Sequence, residues 1–249
     1  MKKVIVLLLI IVFFPIRLAA QPGSLHLDIL IDAPTAKILE SGQIQTQLRM
    51  YADGGLLSTL SVGITNRFFI GISYGGENII GSGNINMNPL PCVRTGYLLF
   101  REQYLTPAIL LGFNSQGYGS YNEEKERYLF KSKGLYAVAS KNTSFLGGLG
   151  IHCGVNWSLE NDDDSSPDLF AGCHKWINPE FLILAEYDVG LDDDTGEALG
   201  SGKGYLNCGI RWNFSQHIFF EFDWKNILEN SKELPGSSRE VKMYYLTHF

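Results

Sequence analysis

The sequence predicts an all-β chain closed into an antiparallel transmembrane barrel of about twelve strands. Three observations lead there. From residue 43 onward, segments of about ten residues alternate apolar and polar side chains with a period of two. After the first hairpin the connections alternate short and long, the plan of a barrel with short periplasmic turns and longer extracellular loops. The chain also runs as an alternating strand to its last residue, "VKMYYLTHF", with no polar tail.

The first element precedes the barrel. "MKKVIVLLLIIVFFPIRLAAQPG" sets Lys2 and Lys3 before an apolar run, then Pro15, then the small pair Ala19-Ala20. That is the three-part layout of a secretory signal peptide over residues 1–20, with cleavage expected after Ala20. The run is short for a permanent anchor. Residues 21–42 form a lead segment that either stays periplasmic or enters the lumen, and Pro34 argues against a regular strand there. The barrel is expected over residues 43–249.

Its strands are read in order. Residues 43–52 put Ile44, Thr46, Leu48 and Met50 on one face and Gln45, Gln47, Arg49 and Tyr51 on the other. A turn at Asp53-Gly54-Gly55 leads to 56–65, and Asn66-Arg67 leads to 68–75. Later strands are expected at 92–101, 105–113, 127–140, 144–156, 168–176, 180–189, 204–213, 217–225 and 239–249. Charged residues are only 18% of the chain, yet no internal stretch approaches the ~20 apolar residues of a spanning helix. Strands whose two faces cancel explain both facts.

A closed barrel leaves no sheet edge in lipid with unsatisfied backbone groups, so the last strand must pair with the first and stay extended to its end. A final Phe249 preceded by Tyr245 and Met243 on the same face also resembles the terminal signal by which bacterial outer-membrane barrels are inserted.

Facing is clearest in "HIFFEFDWK" at 217–225. Ile218, Phe220, Phe222 and Trp224 must meet lipid, leaving His217, Phe219, Glu221, Asp223 and Lys225 inside. The reverse places three charges in hydrocarbon, at up to ~2–4 kcal/mol for a basic residue near the midplane. By the same parity Asn207 and Arg211, Glu186 and Asp188, Arg49 and Arg94 point inward. Acids on the strands either side are expected to flank Arg211. These charges read either as salt bridges filling a small lumen or as a polar constriction within a pore.

Other chemistry finds little support. Glu186/Asp188 and Glu221/Asp223 share a face, but no Ser/His/Asp order or metal-ligand cluster accompanies them, and His152, His174 and His217 are scattered. No enzyme, cofactor or metal is expected. A net charge of -6 argues against a nucleic-acid partner. Asp162-Asp163-Asp164 and Asp192-Asp193-Asp194 read as a solvated acidic rim, which divalent ions would bridge to lipopolysaccharide. The second run, with Gly196 and Glu197, lacks the full ligand spacing of a calcium loop. Of the four cysteines, Cys153 and Cys173 are placed to bridge across a hairpin; all but Cys92 also suit small hydrophobes in apolar strands.

The segment "LIDAPTAKILESGQIQTQLRMY" resembles the start of the YjbH-like family of outer-membrane β-barrel proteins, where a Pro-Ser/Thr-Ala step (Pro34-Thr35-Ala36) precedes a glycine (Gly42) and the first strand. "NPLPCVRTGYLLFREQYLTPAILLGF", with Pro107 opening a strand, Ala139-Ser140-Lys141, "LAEYD" and "LNCGIRW" are similar too. The likeness runs from about residue 30 to 249. It implies an outer-membrane role linked to exopolysaccharide. Expected partners are outer-membrane lipid and lipopolysaccharide, the barrel-insertion machinery and polysaccharide secretion components. The expected function is export or passage of a polar solute or exopolysaccharide; the alternative is a non-conducting structural or interaction barrel.

Overall fold

An extended chain sends successive side chains to opposite faces, so strands of this alternating kind share one apolar and one polar surface. Rolling them shut puts each surface in its own solvent. A computed structural model describes residues 27–144, 148–160, 166–195, 198–234 and 236–249. The expected signal peptide lies outside the described residues, as do Asp162, Asp163, Asp164, Gly196 and Glu197.

The first strands are β1 (Gln43–Tyr51), β2 (Gly55–Thr65) and β3 (Phe68–Glu77), with a two-residue piece, β4 (Asn86–Met87), beside the end of β3. Next come β5 (Cys92–Phe100) and β6 (Ala108–Asn114). A separate hairpin, β7 (Tyr118–Asn122) and β8 (Arg127–Phe130), interrupts the wall. The wall resumes with β9 (Gly134–Thr143), β10 (Leu149–Trp157), β11 (Asp168–Trp176) and β12 (Phe181–Asp188). It ends with β13 (Tyr205–Asn213), β14 (Ile218–Lys225) and β15 (Ser238–His248). Setting aside β4, β7 and β8, twelve antiparallel strands form one closed sheet.

The closing seam joins β15 to β1, from Gln43 opposite His248 to Met50 opposite Val241. The Phe249 N–H donates to the Gly42 carbonyl at 3.1 Å. The terminal strand therefore completes the backbone pairing that lipid demands.

Connections at one end are brief: 66–67, 101–107, 144–148, 177–180 and 214–217. Those at the other end are longer after the first turn: 78–91, 115–133, 158–167, 189–204 and 226–237. Ile70, Ile72, Ile151, Ile210, Phe222 and Trp224 stand exposed on the outer face, from strands all around the wall. Water would not tolerate an apolar belt of this extent on a lone soluble domain. Lipid is its natural solvent.

Three expected boundaries move. Residues 127–140 are not one strand: Arg127–Phe130 pairs with Tyr118–Asn122 away from the wall. All four residues of β8 are buried, the mark of a segment enclosed on both faces. Gly134, at φ +53, turns the chain back into the wall, and a Cβ there would lie 2.0 Å from the Trp157 carbonyl. The strand expected from 105 begins at Ala108, with Leu105 exposed before Pro107. Residues 141–143, expected as a turn, belong instead to β9, which runs on to Thr143.

Candidate functional site in the barrel lumen

The inner face of the wall is strongly polar, and two segments lie against it. Residues 27–39 run within the barrel ahead of β1. They make a small hairpin: the Leu30 N–H donates to the Ala33 carbonyl at 2.9 Å, Ile29 bridges Pro34, and the Thr35 N–H donates to the Asp28 carbonyl at 3.0 Å. The Thr35 hydroxyl closes its base on the Leu27 carbonyl at 2.5 Å. Pro34 has no N–H to leave unsatisfied here.

Apolar side chains seat this hairpin on two walls. Ala33, Ala36, Ile38 and Leu39 pack with Phe69, Leu98, Leu110, Tyr136, Val138 and Phe170. Leu27, Leu30 and Ile31 pack with Leu182 and Leu184 on β12. The approach at Leu30 is close enough that β11 carries a glycine beneath it: a Cβ on Gly172 would lie 2.4 Å from Leu30 Cδ1.

Polar contacts fix its orientation. At the tip, three successive N–H groups converge on Glu186: Ile31 at 3.0 Å, Asp32 at 3.0 Å and Ala33 at 2.8 Å. This is a backbone nest closed around a carboxylate. The Asn207 amide donates to the same carboxylate at 2.9 Å. Asp32 bridges Arg49 at 2.7 Å and Lys225 at 2.6 Å, and both cations also reach Glu240. Asp28 pairs with Arg94 at 2.6 Å and accepts from Gln45 at 3.2 Å. Arg211 donates to the Ile29 and Leu30 carbonyls, both at 3.2 Å, and Lys242 to the Ile31 carbonyl at 2.8 Å. The Ala36 N–H donates to the Ser140 hydroxyl at 2.8 Å.

A second body of side chains caps the long-loop end. Tyr118, Leu129 and Phe130 from the β7–β8 hairpin pack with Leu57, Leu199 and Tyr205. The Tyr118 ring lies 3.9 Å from the Arg49 guanidinium carbon, and Phe130 lies 4.3 Å from the Lys225 ammonium, so aromatic faces share two lumen cations with the acids. Arg127 binds Asp193 at 2.6 Å, Tyr205 donates to the same carboxylate at 2.5 Å, and Glu160 accepts from the Tyr128 N–H at 2.8 Å. Between hairpin and cap a cavity of about 30 Å³ remains, lined by Asp32, Tyr118, Lys133, Glu186, Asp188 and Asn207 among others. It has room for one or two waters.

Of the sequence-derived candidates, Arg49, Arg94, Glu186, Asn207, Arg211, Glu221, Asp223 and Lys225 are buried in the lumen. Asp188 is half-buried under the cap, paired with Lys133. The structure joins Arg211 directly to Glu221, and Glu221 to Asp223 through Lys242 at 2.8 Å to each. The expected flanking of Arg211 from both sides is not found. On β12 its register partner is Leu182, while Glu186 stands opposite Asn207; the acid in its ion pair is Glu221 on β14. Met243 and Tyr245 point outward and Phe249 is exposed at the rim.

Several site residues escaped the sequence reading. Glu240 and Lys242 share the inward parity of Tyr244 on β15, a signal that was there to be read. Asp28 and Asp32 carried none, because a hairpin inside a barrel has no strand period. The solvated acidic rim needs correction for Asp192 and Asp193, which are buried under the cap. Burial pushes the Asp192 carboxyl up to about 6, against the pull of Lys131 and Lys133. The histidines are not all scattered: Ser140 Oγ lies 2.7 Å from His152 Nδ1, and His152 Nε2 lies 3.0 Å from His174 Nδ1. All four cysteines are free thiols; Cys153 sits opposite Ala171 and Cys173 opposite Ile151, a diagonal offset instead of a facing pair.

Among solved structures the chain is similar to the KdgM porin, alone (TM-score 0.53) and in complex with disordered oligogalacturonate (TM-score 0.54), each at 11% identity over 83% of this chain and 99% of that one. The NanC porin is also similar, at 10% identity and TM-score 0.44, over 83% of this chain and 99% of that one. The likeness is one of fold: an outer-membrane β-barrel of porin type. No protein-family model and no curated protein matches the chain.

Proposed function

We propose that this barrel passes a polar solute across the outer membrane, and that the 27–39 hairpin must leave the lumen for it to do so. The observation that carries this reading is the composition of the lumen: a wall of charges, filled by a segment that is held by ion pairs and hydrogen bonds and is continuous with β1. A barrel built only as a strut has no need of buried arginines and lysines, since apolar filling is as stable or more so. Passage requires no catalysis, and none is proposed.

In this reading the short turns and both termini of the chain face the periplasm, the usual orientation of such barrels. A signal peptide cleaved after Ala20 delivers the chain, and the Phe249, Tyr245 and Met243 face engages the insertion machinery. The resemblance to YjbH-like proteins makes exopolysaccharide the cargo of choice and secretion components the partners, with lipopolysaccharide around the loops.

The second reading is a non-conducting structural barrel. Leu30, Ile31 and Leu39 are fully enclosed, which favours a hairpin that stays in place. Recording in planar bilayers separates the two. Stepwise conductance from the chain lacking residues 27–39, and rarer steps from the intact chain, are expected for the conduit. Silence from both would favour the strut.

A further inference from the structure

We infer that the lumen wall is a receptor site for a polypeptide segment: the 27–39 hairpin fills it in cis, and a segment of a second protein with the same pattern fills it in trans once the hairpin is out. That the hairpin leaves rests on the passage reading above; the character of the site rests on its contacts. The wall holds the hairpin by its main chain. The Ile31, Asp32 and Ala33 N–H groups donate to Glu186 on β12, while the Ile29, Leu30 and Ile31 carbonyls accept from Arg211 on β13 and Lys242 on β15. Donors and acceptors of one stretch of peptide are thus met together, from three different strands.

Apolar contacts decide the kind of occupant. On one wall Phe69, Leu110 and Val138 are packed by Ala33, Ala36, Ile38 and Leu39; on another, Leu182 and Leu184 are packed by Leu27, Leu30 and Ile31. Once vacated, these patches meet water, at a cost that grows with their area. A saccharide brings hydroxyls to a wall of branched aliphatic groups; a peptide brings leucine and isoleucine. Gly172 leaves the space for one such branch, since a Cβ there would lie 2.4 Å from Leu30 Cδ1. Asp28 on Arg94, and Asp32 on Arg49 and Lys225, then fix the register. The fitting pattern is a carboxylate, three aliphatic residues and a second carboxylate, as in Asp28-Ile29-Leu30-Ile31-Asp32. Approach is from the short-turn end. The chain enters there, with the Gly42 N–H on the Gly63 carbonyl, whereas the tip reaches Lys225 beneath the β7–β8 cap. In the orientation proposed above the partner is therefore a periplasmic polypeptide, whose docked segment closes the conduit that the hairpin has left.

The test uses the full chain in detergent micelles and, as probe, a fluorescein-labelled synthetic peptide of residues 27–39, with binding read by anisotropy. In the Asp28→Asn/Asp32→Asn chain the tethered hairpin competes less strongly while the wall is intact. That variant is expected to bind the probe about tenfold more tightly than the unaltered chain does. A probe carrying Leu30→Ser and Ile31→Ser is expected to bind it about tenfold more weakly, and so is the unaltered probe when Leu184→Ser is added to the wall. Mobility of unboiled samples on gels confirms that each variant is a folded barrel. A scrambled probe that binds equally well, or displacement of the probe by excess maltoheptaose, would overturn the peptide site. Planar-bilayer recording of the same variant keeps the two readings apart. Channel openings without saturable binding would sink the receptor site and leave passage standing, whereas saturable binding without openings would do the reverse.

Discussion

Lys242 is fully enclosed and touches two carboxylates and a carbonyl of the hairpin. Replacing it with Met keeps the volume but leaves Asp223 without its cation in a buried site. The expected cost is about 3–5 kcal/mol, read as a lower denaturant midpoint in detergent micelles. Adding Asp223→Asn should recover part of that loss, whereas two independent effects would simply add. Asp192 gives a pH signature. Its carboxyl faces Lys131, Lys133, Asp188 and Asp193, and burial raises it to about 6 in the closed cap. The closed cap thus holds the proton more tightly than an opened one, so closure is favoured in acid and weakens as pH rises through about 6. Amide exchange in residues 189–195 should be slower at pH 5 than at pH 7.5, after correction for intrinsic rates. Asp192→Asn should flatten that difference.

Strands carry the facing of the barrel, and their tolerance to charge depends on depth. Phe222 lies mid-strand on β14 and points outward; Tyr245 lies on the same outer face near the short-turn end. Phe222→Lys should lower the stability of the assembled barrel by about 2–4 kcal/mol and Tyr245→Lys by about 0–1 kcal/mol. Comparable losses from both would mean that the belt is misplaced along the barrel axis. The wall was legible in the sequence because period two survives wherever one face meets lipid and the other meets charge. It failed where that contrast is missing. Arg127, Tyr128, Leu129 and Phe130 are buried on both sides, so their pattern merged with the following strand. The hairpin at 27–39 offered an awkward Pro34 and two aspartates, whose partners on β1, β5 and β14 lie far along the chain.

For the whole molecule, closure of the sheet and filling of its lumen are separate achievements. The β1–β15 seam and the two-sided pairing of every wall strand complete the barrel without the hairpin. Deleting residues 27–39 should therefore yield a barrel that still inserts and resists unfolding on unboiled gels. It should be less stable, since two apolar clusters lose members. The central claim is that the hairpin is a removable occupant whose departure opens the lumen. Ala36 and Ser140 touch across the hairpin–wall contact, with the Ala36 N–H 2.8 Å from the Ser140 hydroxyl. The most direct measurement is single-channel recording of the Ala36→Cys/Ser140→Cys variant, with the four native cysteines replaced by alanine, before and after addition of a reductant. Silence while the cross-link is intact, followed by discrete openings once it is cut, is the predicted result. Identical traces in the two states, whether both conducting or both silent, would contradict it.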